Sequence, residues 1–235
     1  MRLGLVGGLG PESTIDYYRR LIDAWRAHEP TTAPAIVIDS LDVNHALSLV
    51  EHDRAALVEY LLDSIQRLAR AGCDFAALTA NTPHIVFDEL AARSPIPLVS
   101  IIEVAAREAE RMGLRRPVLL GTRFTMEAPF YPEVFSRRCG ATVIVPEARE
   151  RAWVHERYVG ELLVGKFKDD TRRELVAIVA RLRDSQDVDG VILGGSELPL
   201  ILAANEVARL PVLDTTALHV AALVERLRGG DATGA

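Results

Sequence analysis

Eight short apolar runs punctuate the chain, and most are apolar at every position rather than at every second one. They are Leu3–Val6, Ala35–Asp39, Phe75–Thr79, Leu98–Ile101, Val118–Gly121, Thr142–Val145, Gly190–Leu193 and Val212–Asp214. A strand with one wet face alternates apolar and polar residues. A continuous run needs both faces covered, as in a parallel sheet sandwiched by helices. The segments between the runs carry a helical period. Glu12 to His28 places Ile15, Tyr18, Leu21 and Ile22 on one face. Arg54 to Ala71 repeats Leu57, Leu61, Ile65 and Leu68, and Asp169 to Arg183 repeats Leu175, Ile178, Val179 and Leu182. Strand and helix in alternation predict an α/β fold with mainly parallel sheets.

The chain also matches itself at a nearly fixed offset. Cys73-Asp74-Phe75-Ala76-Ala77-Leu78 lines up with Val188-Asp189-Gly190-Val191-Ile192-Leu193, 115 residues on. Pro95–Val99 aligns with Arg209–Leu213, and both Leu5-Val6-Gly7 and Tyr17 align with Leu119-Leu120-Gly121 and Tyr131. This repetition predicts two duplicated halves, pseudo-symmetric, each a sheet flanked by helices. The expected division is residues 1–103 completed by 211–228, then 104–210, with 229–235 as a flexible tail.

Composition narrows the partners. The 235 residues hold 27 Lys and Arg against 33 Asp and Glu, a net charge of −6. Nucleic acids and anionic membranes favour basic surfaces, so neither is expected. No apolar stretch approaches the ~18 residues of a membrane span. The apolar start breaks at Gly7, too early for a secretion signal, so the expected location is cytoplasmic. Cys73 and Cys139 lie far apart, with no zinc spacing and no disulfide framework, and both read as structural. No metal site is expected.

In parallel α/β sheets, ligands bind beyond the carboxyl ends of the strands. Four such ends are polar or glycine-rich: Gly7–Gly10, Thr79–Thr82, Gly121–Thr125 and Gly194–Glu197. They form two equivalent pairs and predict a cleft lined by both halves, taking a small carboxylate. Gly8-x-Gly10 resembles part of a dinucleotide loop, but Ser13 replaces the third glycine, so no nucleotide is expected. Asn81 and Thr82 suit either a helix cap or a substrate-binding turn. Ser196 and Glu197, at the equivalent place in the other half, favour the turn. Glu197 also suits a helix cap. His84 and His219 read mainly as packing residues.

These motifs resemble the aspartate/glutamate racemase superfamily. The resemblance runs through Gly4–Thr14 with Tyr17-Tyr18, Asn81-Thr82-Pro83-His84, Leu120–Met126 and Gly194–Leu200, and so spans almost the whole chain. It implies two Rossmann-like halves, an interdomain cleft, no cofactor and a homodimer. Inverting a stereocentre needs one group to take the α-proton and another to return it on the opposite face. Family enzymes use one cysteine from each half. The resemblance places Ala80 and Gly195 at those two positions, and neither side chain carries a proton. The polar cradle it implies is present as Gly8, Gly10, Asn81, Thr82, Thr122, Thr125, Gly195, Ser196 and Glu197. The basic residues that hold a distal carboxylate lack counterparts: His45 and Leu163 stand near their places, with Lys166 out of register.

Two functions follow. One is a cofactor-independent racemase, isomerase or lyase working on a small carboxylate without thiols. Its acid–base group would be Glu197, Ser196, His84, a tyrosine or water, with Glu197 first. The other is an inactive relative that binds a small carboxylate or a protein partner.

Overall fold

The computed structural model describes residues 1–202 and 206–229. The segment 230–235, within the expected flexible tail, lies outside the described residues. The chain divides into two units, Met1–Ile101 joined by the chain from His219 onward, and Ile102–Leu218.

The first unit runs β1 (Arg2–Gly7), α1 (Pro11–Arg26), β2 (Ala35–Ser40), α2 (Val43–His52), α3 (Arg54–Arg70), β3 (Phe75–Leu78), a single 3-10 turn (Thr82–Val86), α4 (Phe87–Arg93) and β4 (Leu98–Val99). α5 (Ile101–Met112) leads into the second unit. There follow β5 (Pro117–Gly121), α6 (Arg123–Glu127), α7 (Phe130–Cys139), α8 (Ala148–Gly160), a 3-10 turn (Leu162–Val164), α9 (Asp169–Gln186), β6 (Gly190–Gly194), α10 (Leu198–Ile201), β7 (Glu206–Val207) and β8 (Leu210–Asp214). α11 (Thr215–Leu227) returns to the first unit.

The first sheet has the order β2-β1-β3-β4 and is parallel throughout. The second has the order β5-β6-β8-β7, with β7 antiparallel to β8. β3, β5 and β6 are buried at every position, as continuous apolar runs require. The helical period of α3 turns Leu57, Leu61, Ile65 and Leu68 inward at 1% exposure or less. Each such burial contributes roughly 1.5–3 kcal/mol. Asp53 caps α3 by accepting from the Ala56 N–H at 2.9 Å.

The repeat is visible in detail. Asp74 opens β3 and accepts from the Arg2 N–H at 2.6 Å. Asp189, 115 residues on, opens β6 and accepts from the Arg115 and Arg116 N–H groups at 2.5 and 2.9 Å. Tyr17 and Tyr131 are both fully buried.

Two expectations change. Thr142–Val145 is not a strand; Ile144 alone bridges to Val118, on the edge of β5 away from β6. Pro146 follows directly and has no N–H to continue a ladder. This bridge still gives the second unit the same core order as the first. The chain also returns to the first unit later than residue 211. Leu210–Asp214 pairs with β6, so the return falls within α11, at His219.

Candidate functional site

The candidate cradle and acid–base residues Gly8, Gly10, Ala80, Asn81, Thr82, His84, Thr122, Thr125, Gly195, Ser196 and Glu197 lie just beyond the carboxyl end of β1, β3, β5 or β6. In the first unit, Gly8 has φ +75°, and a Cβ there would lie 2.5 Å from the Leu41 nitrogen and closer to its carbonyl oxygen. Only glycine fits this turn. Its N–H donates to Thr14 Oγ1 at 2.9 Å, and that hydroxyl donates to the Gly10 carbonyl at 2.9 Å. Ser13 Oγ donates to the same carbonyl at 2.9 Å. Gly8 and Gly10 therefore sit in a turn closed by its own helix.

After β3, Thr79 Oγ1 donates to the Val6 carbonyl at 3.2 Å and lies 3.3 Å from Thr14 Oγ1, tying the two strand ends together. Ala80, Asn81 and Thr82 are buried. Asn81 opens the 3-10 turn through its backbone carbonyl, which accepts from the His84 N–H at 3.0 Å.

His84 has both ring nitrogens occupied by the backbone. Nδ1 donates to the Ala80 carbonyl at 3.0 Å, and Nε2 accepts from the Ile101 N–H at 3.4 Å. The ring stacks on Phe87, with centroids 4.8 Å apart. Burial, together with the nearby His219, pushes its pKa down to about 3. His219 is held the same way. Nε2 donates to the Val99 carbonyl at 3.1 Å, and Nδ1 accepts from the Tyr17 hydroxyl at 3.0 Å. Burial lowers its pKa to about 4. Both rings are neutral struts on either side of the β4–α5 junction.

In the second unit, Thr122 caps α6: its hydroxyl accepts from the Thr125 N–H at 3.2 Å and lies 3.2 Å from Thr125 Oγ1. Both threonines are buried. After β6 come Gly194, Gly195, Ser196 and Glu197. Glu197 makes no side-chain cap to α10. Its carboxylate is 1% exposed and instead accepts from the Tyr158 hydroxyl and, at 3.2 Å, from Ser196 Oγ. Tyr158 Oη also accepts from the Glu197 N–H at 3.4 Å. The phenol is 4% exposed, and burial beside the carboxylate raises its pKa well above 10.

Sequence reasoning did not single out Tyr158. It lies in α8, 39 residues before Glu197, at a position whose apolar bulk looks like core. The usable signal was Gly195: a glycine where a duplicated strand end has alanine leaves volume for another group to fill.

The remaining residues lie elsewhere. Cys73 is buried ahead of β3, where burial raises its thiol pKa, and Cys139 Sγ donates to the Phe135 carbonyl at 3.1 Å. Both thiols are free. His45 packs edge-on against Tyr60 in α3, with centroids 4.8 Å apart. Among the described residues, no three His, Cys, Asp or Glu side chains gather to hold a metal ion. Among them, too, no helix is long and apolar enough to cross a membrane.

Two parallel α/β units of one plan, with polar strand ends, define a duplicated α/β protein. The family model "Asp/Glu/Hydantoin racemase" matches residues 6–223, and the chain belongs to that family. It is 24% identical over 222 residues to the broad specificity amino-acid racemase RacX of Bacillus subtilis, covering 92% of this chain and 93% of that one. The crystal structure of an aspartate racemase homologue from Pyrococcus horikoshii superposes with a TM-score of 0.81 at 32% identity, covering 97% and 99% of the two chains. A candidate Asp/Glu racemase from Yersinia pestis gives 0.85 at 31% identity, covering 97% and 100%. Membership supports a racemase-type function.

Proposed function

We propose that the protein is a racemase-type isomerase acting on a small carboxylate of the amino-acid class, bound at strand-end loops, with no cofactor. The similarity to RacX, an amino-acid racemase of broad specificity, supports the substrate class. The absence of clear counterparts to the distal basic residues favours substrates without a second carboxylate. In the family resemblance, Ala80 and Gly195 take the cysteine positions, so the chemistry is not thiol chemistry. Asn81, Thr82, Thr122, Thr125 and Ser196 remain as candidates to orient the ligand, with Gly8 and Gly10 shaping the first loop.

The observation that carries the reading is the buried Glu197 carboxylate at the end of β6, hydrogen-bonded by a phenol and a serine hydroxyl. A buried ionisable group beyond the carboxyl end of a parallel strand is a candidate for acid–base work. His84 we read as a positioning residue, because the backbone occupies both of its nitrogens.

The test is a panel of amino-acid and hydroxy-acid enantiomers in deuterated water, monitored for α-deuterium and for inversion. Exchange or inversion on at least one substrate is expected, dropping in Glu197→Gln. A panel with neither sinks the enzyme reading. The second reading, binding without turnover, is favoured by Ala80, whose methyl group can neither take up nor release a proton. It predicts that a small carboxylate raises Tm without chemistry, through ligand linkage to the folded state.

A further inference from the structure

The strand end after β6 contains a group that the repeat does not supply after β3. Residue 195 stands 115 positions beyond Ala80, at the offset of the internal repeat. A Cβ at Gly195 would lie 2.6 Å from Tyr158 Oη and 2.8 Å from Cζ, with Cε2 closer still. The phenol thus fills the volume that any side chain at 195 would occupy. It arrives from α8, and its hydroxyl donates to Glu197 while accepting from the Glu197 N–H.

Burial of this pair needs compensation, because a desolvated carboxylate is costly unless donors surround it. The phenol and Ser196 supply donors to one carboxylate oxygen, Oε2. Desolvation and the adjoining negative charge both keep the phenol protonated. A phenol of this kind does not serve as a free phenolate base. It can accept a proton only while passing its own to the carboxylate. Beside Ala80, the Thr79 hydroxyl ties two strand ends together, and both nitrogens of His84 are engaged by the backbone.

We infer that Tyr158 and Glu197 form a one-sided proton relay, in which Tyr158 Oη exchanges a proton with the α-carbon of the bound acid and Glu197 stores it. This rests on the isomerase reading above. In the forward step the α-C–H bond breaks and its electron pair stays on the α-carbon, conjugated with the substrate carboxylate. The proton bonds to Tyr158 Oη while the original phenolic proton crosses to Glu197 Oε2. The phenol stays neutral, the glutamate loses its charge and the substrate gains one. The reverse step restores every bond. While the proton is stored it can be replaced from solvent, so the α-carbon takes up deuterium with its configuration retained. Inversion needs a second carrier and is slower.

The experiment uses the full chain in deuterated water with single enantiomers of alanine, serine, aspartate, glutamate and lysine. Deuterium is read by NMR and configuration by chiral chromatography. Deuterium is expected in the unreacted enantiomer faster than the opposite enantiomer accumulates. Tyr158→Phe, which removes only the hydroxyl, is expected to cut exchange at least about 100-fold, the scale of a lost acid–base group. The substrate-induced rise in Tm should survive. Inversion keeping pace with exchange overturns the one-sided relay. Exchange within about threefold of wild type in Tyr158→Phe overturns the role of Tyr158 and leaves the isomerase reading standing. If Tyr158→Phe does not fold, Glu197→Gln decides, and retained exchange in that variant overturns the relay. No exchange and no inversion by the wild type overturns the isomerase reading and the relay together.

Discussion

The strand ends after β3 and β6 occupy equivalent places in two units of one plan, yet their polar groups are used in opposite ways. In the first unit, His84 beyond β3 and His219 of α11 spend all four ring nitrogens on the Ala80 and Val99 carbonyls, the Ile101 N–H and the Tyr17 hydroxyl. They are neutral and fix the backbone. After β6, Tyr158, Ser196 and Glu197 spend their hydrogen bonds largely on one another. One end is a backbone brace and the other a cluster of side chains bonded to one another. A duplicated fold can thus keep its topology while equivalent strand ends bond their polar groups differently. What marks the difference is whether a buried polar group is satisfied by backbone or by another side chain.

Acid should separate the two units most strongly. His84 and His219 titrate at about 3 and about 4 in the folded chain. Both values lie below the ~6.5 of an unfolded histidine, so the unfolded state binds these protons first. The stability they contribute is complete above pH ~6.5 and is lost as pH falls, by about 1.4 kcal/mol per pH unit for each histidine. In the second unit, Glu161 is held down to about 2 by hydrogen bonds from Thr171 and Lys168, with Arg157 adding to them. Its contribution is lost only as pH falls below the ordinary carboxylate range toward 2. Hydrogen exchange between pH 6.5 and 4.5 should therefore open β1 and β3 before β5 and β6, and His219→Gln should flatten the acid slope. Opening of β6 first would break the comparison.

Packing gives the next contrast. Gly195→Ala places a Cβ against the Tyr158 ring. A cost of about 1–3 kcal/mol is expected, as for other overpacked cores. The cost should shrink in a Tyr158→Leu background, measured by denaturant unfolding in a double-mutant cycle. Equal costs in both backgrounds would show that the phenol does not own that volume.

The smallest effect lies at the paired aspartates. Asp189 receives two backbone N–H bonds and Asp74 one. Asp189→Ala should cost about 1–2 kcal/mol and Asp74→Ala about half as much, since each charge-assisted bond contributes modestly at a partly wet site. A larger loss at Asp74 would count against their equivalence.

Much of this was legible from residues near one another in sequence. β1, β3, β5 and β6 were readable because strands buried on both faces must be continuously apolar, and β2 because its run is apolar although the strand is only partly buried. The loops after them were readable because glycine and polar residues at a strand end report local geometry. Thr142–Val145 misled because an apolar run does not by itself fix pairing: the segment is only partly buried, and Pro146 follows it, leaving one bridge. β7 escaped because a two-residue strand has no period. The fates of Thr122 and Glu197 were also invisible. One caps a helix and the other does not, and only the orientation of each side chain decides that.

Period, apolar runs and fixed offsets are properties of chain order, and they set the duplication, the parallel sheets and the four loops. The sequence also carried the family. The tertiary structure alone decided that a tyrosine from α8 fills the space beside Gly195 and shares a proton-bearing contact with Glu197. That contact joins side chains 39 residues apart. No local pattern encodes it, because dense packing lets whichever distant group fits best take an empty volume.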